Sequence, residues 1–242
     1  MTAVVLLGGL GTLTWDQAGM YRDSTTLFET TLDRNPDCWM AHHNLAVILA
    51  GEGRFAEALS HQQAAVRLYP DYAPAENNLG DDLLQLNRVA EALPHLERAI
   101  RLHPNYAVAH CNLGLALARL ERTDEALRHF AEAVRLQPAY AEAELNWGLG
   151  LMLTGHFREA LPHFEQALRL NPNSVDAHHT FGRALASQGR HAEAVVQFRE
   201  TLRLAPEYGD AHLDLALALR QIGQEPEARE HERAAQRLRA TP

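Results

Sequence analysis

Histidine binds metals and carries protons near neutral pH, and this chain of 242 residues holds 14 of them. Two pairs are adjacent, His42-His43 and His178-His179. On a helix, adjacent side chains point about 100° apart, so neither pair forms a chelate of the kind that two histidines one turn apart would make. A longer series, His42, His110, His178 and His212, shares one 34-residue register with Glu76 and Glu144. Zinc needs its ligand atoms about 2 Å away. Elements about 10 Å apart cannot meet that requirement, so these residues are expected to be packing residues and no metal site is expected. A second series carries amides: Asn44, Asn78, Asn112 and Asn146 stand 34 residues apart, continued by Thr180 and Asp214. A side-chain amide donates and accepts at once, which suits it to a partner's peptide backbone whatever the partner's side chains are.

Other chemistry is harder to assemble. No nucleophile elbow, phosphate loop or Cys–His pair with an orienting partner occurs, and GGLG at Gly8–Gly11 lacks the spacing of a phosphate cradle. Cys38 and Cys111 lie far apart and define neither a disulfide framework nor a metal knuckle. No enzyme activity and no cofactor are therefore expected. The net charge is −9 and every one of the 22 cations is arginine. A nucleic-acid partner, which needs a basic stripe to displace counterions, is not expected. The arginine-only usage fits the codon bias of a GC-rich genome.

The elements that position these residues follow from a strict period. Pro36, Pro70, Pro104, Pro138, Pro172 and Pro206 are 34 residues apart, the mark of one supersecondary unit stacked repeatedly. Aligned on the prolines, the sequence divides into six repeats, 39–72, 73–106, 107–140, 141–174, 175–208 and 209–242. Each reads as two amphipathic helices. The first ends near Gly53, Asn87, Glu121, Gly155, Gly189 or Gly223, and the second stops before the next proline. Leu45, Leu79, Leu113, Trp147, Phe181 and Leu215 share a large slot, and each is followed by Ala or Gly. Ala58, Ala92, Ala126, Ala160, Ala194 and Ala228 repeat in the second helix, with Leu96, Phe130, Phe164 and Phe198 four residues after theirs. This is burial at the helical period on both arms of a hairpin, a large side chain set beside a gap. In the last repeat the same slot holds Glu232, and the polar final helix suits an end cap. Pro94 and Pro162 are expected near the first turn of their helices, where a missing N–H costs little.

The pattern L-G-x2-L … A-x3-F … P, as in Leu113-Gly114, Leu117, Ala126, Phe130 and Pro138, resembles the tetratricopeptide repeat across residues 39–242. The family's usual Trp slot is filled by the His/Glu series. The resemblance implies an all-α fold, a right-handed α-solenoid of tetratricopeptide helix hairpins, working as a protein-interaction scaffold whose concave groove takes an extended peptide. The asparagine row resembles the ladder in the repeat domain of O-GlcNAc transferases, which implies that Asn44, Asn78, Asn112 and Asn146 clamp a partner backbone. Duplication could equally have copied them unused. Specificity would come from neighbouring slots, at Asp81, Leu115, Leu145, Leu149, His179 and Arg183. The apolar members lie in the middle repeats, which suggests a partner with a hydrophobic centre. A clamp for the terminal carboxylate of a partner protein is not expected, since no Lys is present.

The N-terminal region has its own reading. Ala3–Leu13 is an apolar run of 11 residues, too short to span a bilayer alone. It is the end of a membrane helix, a degenerate first repeat helix or a surface anchor, followed by a half repeat over 18–38. The junction from Trp15 through Tyr21-Arg22-Asp23-Ser24 to Trp39-x-Ala41-His42 resembles that of multi-spanning O-mannosyltransferase-like proteins with C-terminal tetratricopeptide repeats. That resemblance implies the C-terminal part of a membrane glycosyltransferase, with membrane attachment through the N-terminal segment and the array outside the bilayer.

Overall fold

The computed structural model describes residues 23–240, the side chain of Ala240 excepted. The apolar run and the start of the transferase-like junction therefore lie outside the described residues. Thirteen α-helices make up all the regular structure described. They are α1 (Ser24–Arg34), α2 (Trp39–Gly51), α3 (Phe55–Leu68), α4 (Ala73–Gln85), α5 (Val89–Leu102), α6 (Ala107–Arg119) and α7 (Thr123–Leu136). There follow α8 (Ala141–Leu153), α9 (Phe157–Leu170), α10 (Val175–Ser187), α11 (His191–Leu204), α12 (Gly209–Gln221) and α13 (Glu225–Ala240). The protein forms two compact units that divide between Ala116 and Leu117, inside α6. The fold class is the all-α solenoid of helix hairpins implied by the period.

Local chemistry explains the boundaries. Before each proline the second helix of a repeat must leave helical geometry. Tyr69, His103, Gln137, Asn171 and Ala205 accordingly take φ between −138° and −135° and ψ between 82° and 87°. Between the two helices one residue turns left-handed: Gly53, Gly155, Gly189 and Gly223, with Asn87 at φ 57° and Glu121 at φ 61°. The following amide closes the turn onto a carbonyl five residues back, as Arg54 N to Leu49 O at 2.9 Å and Arg122 N to Leu117 O at 2.9 Å. Asp23 caps α1, its carboxylate accepting from Thr26 N at 2.8 Å. One expectation needs correcting. Pro94 and Pro162 are the sixth residues of α5 and α9 rather than first-turn residues. They remove an interior helical hydrogen bond, on a face exposed to solvent.

In the first unit, Phe28 and Leu32 of α1 pack against Leu45, Leu49 and Ala58, so the half repeat covers the open flank of α2 and α3. In the second unit, Phe164, Phe181, Phe198, Leu185, Leu215 and Leu219 form one continuous core. Each hairpin closes through a small residue. A Cβ added to Gly80 would stand 2.5 Å from Leu96 Cγ, one on Gly148 2.6 Å from Phe164 Cε1, and one on Gly182 2.5 Å from Phe198 Cε1. Where the second helix lacks the bulky apolar residue, at Gln62 and Glu232, the opposing position is Ala46 or Ala216 instead of glycine. Glu232 turns to Arg220, 2.7 Å away, rather than into a core.

Two stability changes are expected in urea unfolding. Gly182→Ala costs about 1–3 kcal/mol by overpacking Phe198, and adding Phe198→Leu recovers part of that loss. Glu121→Gly stabilises by about 0.5–1 kcal/mol, because the left-handed conformation at Glu121 is strained for a residue with a Cβ.

Candidate functional site

Within each unit, members of the His/Glu series meet partners 19 residues downstream, on the other arm of their own hairpin. His42 Nδ1 lies 2.9 Å from His61 Nδ1, and Glu76 Oε2 lies 2.7 Å from His95 Nδ1. Glu144 Oε2 lies 2.7 Å from His163 Nδ1, His178 Nδ1 2.8 Å from Gln197 Oε1, and His212 Nδ1 2.8 Å from His231 Nδ1. The first-helix histidines also reach back to a proline carbonyl through Nε2, His42 to Pro36 at 2.9 Å and His212 to Pro206 at 3.0 Å. A carbonyl only accepts, so Nε2 carries the proton there, and the facing histidine must donate across the gap. Among the described residues no group of three or more His, Cys, Asp or Glu gathers as a metal site. The partner row was visible in the sequence, since His61, His95, His129, His163 and His231 also repeat at 34 or a multiple of it.

The asparagine row is tied into the neighbouring slot. Asn112 Nδ2 donates to Asn77 Oδ1 at 3.1 Å, and Asn77 Nδ2 donates to Asn78 Oδ1 at 3.1 Å. The same step of one repeat plus one residue recurs in the second unit, where His179 Nε2 stands 2.9 Å from Asp214 Oδ2. The specificity slot of one repeat thus holds the amide slot of the next. A buried polar side chain must be satisfied, and these bonds do so.

The expected site residues separate into two sets. Leu145, Asn146, Leu149, His179 and Arg183 come together in the second unit, lining a cleft of about 610 Å³ with Thr180 and Tyr208. The rim carries Glu142, Asp176 and Asp210, and Arg183 faces Asp214 with Nε 4.0 Å from Oδ2. His179 packs at a tilt against Tyr208, ring centroids 4.7 Å apart and planes at 53°. In the first unit, Asn78 and Asp81 line a smaller cavity of about 200 Å³, Asn112 is buried, and Asn44 and Leu115 are half-buried. Asp81 accepts from Gln85 at 3.1 Å. Sequence reasoning missed Tyr208 and the rim carboxylates, although Tyr72, Tyr106, Tyr140 and Tyr208 share one 34-residue slot and Glu142, Asp176 and Asp210 share another.

Models of the tetratricopeptide repeat match residues 38–103, 77–141, 145–198 and 179–242. This protein belongs to the tetratricopeptide repeat family. No curated protein matches it. Among solved structures it is similar to TTC0263, a thermophilic tetratricopeptide protein of Thermus thermophilus, at 27% identity and TM-score 0.65, over 75% of this chain and 99% of that one. It is also similar to YrrB, described as having an unusual peptide-binding site, at 24% identity and TM-score 0.61, over 74% and 93% of the two proteins. A chain of the APC/C Cut9–Hcn1 hetero-tetramer matches at TM-score 0.80 and 16% identity, over 92% of this protein and 44% of that one. None of these three is described as a glycosyltransferase. No described helix is long and apolar enough to cross a membrane.

The His–His contact has a measurable consequence. Burial, and next the neighbouring His212, disfavour the imidazolium of His231, so its pKa lies below the ordinary value. Arg199 acts in the same direction, while Glu227 and Glu230 oppose it. The unfolded chain then binds more protons as pH falls, so this contribution is complete above about pH 6.5 and is lost as pH falls through the lowered value. His231→Gln, which copies the His178–Gln197 pairing, is expected to shrink the drop in melting temperature between pH 7.5 and pH 5. A drop equal to that of the parent protein would count against the account.

Proposed function

We propose that this protein is a non-catalytic interaction module that binds an extended segment of a partner protein in the cleft of its second unit. The carrying observation is that cleft itself, about 610 Å³, in which Leu145 and Leu149 lie beside Asn146, Thr180 and His179. Apolar side chains of the segment sit on the two leucines, and the amide and hydroxyl groups pair with its backbone. Glu142, Asp176 and Asp210 surround the opening, so segments carrying positive charge beside an apolar anchor are preferred over acidic ones. The fold is shared with YrrB, whose description includes a peptide-binding site, and this supports a peptide rather than a small metabolite as the occupant. Helix hairpins repeated in series offer long surfaces and few enclosed pockets, which favours recognition over catalysis.

Selection of peptides from a display library against the folded protein tests the reading. Enriched sequences are expected to pair an apolar anchor with basic residues. Leu149→Ser is expected to weaken them about tenfold or more, the range for a central apolar contact. Asn146→Ala weakens backbone capture, and circular dichroism checks that both variants keep their helices. Absence of enrichment, or unchanged affinity in both variants, would remove the proposal.

A further inference from the structure

The repeats serve as controls for one another, and two residues of the first unit break their pattern. The slot of Asp82 holds Ile48, Ala116, Gly150, Ala184 and Ala218 elsewhere. Ala116, Ala184 and Ala218 are at most 2% exposed, so this is a core position, and Asp82 there is 3% exposed. The slot of Gln62 holds Leu96, Phe130, Phe164 and Phe198 in the inner repeats, and Gln62 is fully buried. A carboxylate and an amide thus stand where the inner repeats otherwise put apolar residues. They converge on one place, since both line the cavity of about 200 Å³ between α2, α3 and α4.

The polar lining is Gln62, Asn78, Asp81 and Asp82, two amides and two carboxylates, so acceptor oxygens outnumber donors. Gln62 Nε2 bonds to His43 Nδ1 and to Ala75 O, each at 3.0 Å, while Gln62 Oε1 is buried with no partner. Among the described residues no cation pairs with the Asp82 carboxylate. Asp81 adds a second carboxylate, and α2 contributes only Ala46, Val47 and Ala50. A water occupies about 30 Å³ in the liquid, so the space exceeds what one or two waters fill. A buried, unpartnered oxygen such as Gln62 Oε1, beside the buried carboxylate of Asp82, is costly unless a donor reaches it.

We propose that this cavity receives the cationic head of an arginine or lysine side chain from a bound segment, held by Asp82, Asp81 and Gln62 Oε1. The proposal rests on the reading of the protein as a binder of protein segments, but it concerns a separate site in the other unit. A guanidinium carries five N–H donors in one plane, enough to satisfy the carboxylates and the amide oxygen together. Unoccupied, the site disfavours charge. Burial, and next the charge of Asp81, push the Asp82 carboxyl up to about 7. The other titratable group behind the wall is His43, whose imidazolium burial also disfavours. A cation therefore binds more tightly as pH rises through about 7, when Asp82 gives up its proton.

The test uses the full-length protein and two blocked peptides, acetyl-Gly-Arg-Gly-amide and its citrulline counterpart, followed by amide NMR titration at pH 6 and pH 8. The arginine peptide is expected to shift the Gln62 side-chain amide and the α4 backbone signals. It should bind about tenfold or more tighter than the citrulline peptide, and tighter at pH 8 than at pH 6. Asp82→Ala is expected to lose that preference while melting at a higher temperature, since alanine is the residue of three other repeats at this position. Absence of shifts at Gln62 and α4, equal binding of the two peptides, or an Asp82→Ala variant that still prefers arginine would overturn the assignment. Display-selected peptides that bind the Leu149 cleft while this cavity stays indifferent would sink only this inference. A protein that selects no peptide at all sinks the functional reading beneath it.

Discussion

The contact between a glycine on the first helix of a hairpin and a bulky side chain on the second governs this molecule. At Gly80, Gly148 and Gly182 even a methyl group would press within 2.6 Å of Leu96, Phe164 or Phe198. Close approach removes the second-helix side chain fully from water, and dispersion contacts in such an interior are dense. The terminal repeats relax this rule in a coordinated way. Gln62 and Glu232 face the positions where alanine replaces glycine, at Ala46 and Ala216. Shortening the gap and losing the aromatic go together, because a glycine opposite a smaller or polar side chain would leave a void or weaken the helix for nothing.

Polar contacts are threaded through this apolar scaffold at fixed steps. Nineteen residues on, a hairpin partner satisfies the His/Glu slot, as in Glu144–His163. Thirty-five residues on, the next repeat satisfies the amide slot, as in Asn77–Asn112 and His179–Asp214. The first step ties the two arms of a hairpin, and the second ties one hairpin to the next. Apolar packing alone tolerates sliding between similar helices, whereas paired buried polar groups penalise any slip that would orphan them. The proposed recognition uses leucines, a tyrosine and carboxylates in the second unit, and Gln62 and Asp82 in the first.

The two candidate sites differ in how they arise. The cleft in the second unit joins recurring residues, Asn146 and Tyr208, to Leu145, Leu149, His179 and Arg183, whose slots vary between repeats, and it leaves the core pattern undisturbed. The cavity in the first unit is made inside the core pattern, at Gln62 and Asp82, and weakens the packing that surrounds it. Core slots filled by a carboxylate and an amide are unfavourable for stability, and natural proteins retain such departures where they serve a function.

The 34-residue period by itself determined the fold. Proline fixed where each second helix ends, the left-handed residue fixed the turn, and the large-small alternation fixed which faces are buried, because each is a local demand on backbone or packing. The sequence also placed Leu145, Asn146, Leu149, His179 and Arg183 on related slots, which fold into one cleft. Tertiary structure alone decided which slots meet. That His42 answers to His61, and that Asn112 is spent on Asn77, depends on how two helices cross. It set Pro94 and Pro162 beyond the first turn of their helices, because those helices begin directly after the left-handed turn. It also brought Gln62 and Asp82, 20 residues apart and on different helices, to one cavity. Periodicity tells which way a side chain faces along its own helix, but the neighbour it faces is chosen by helix–helix packing, and that choice exists only in three dimensions.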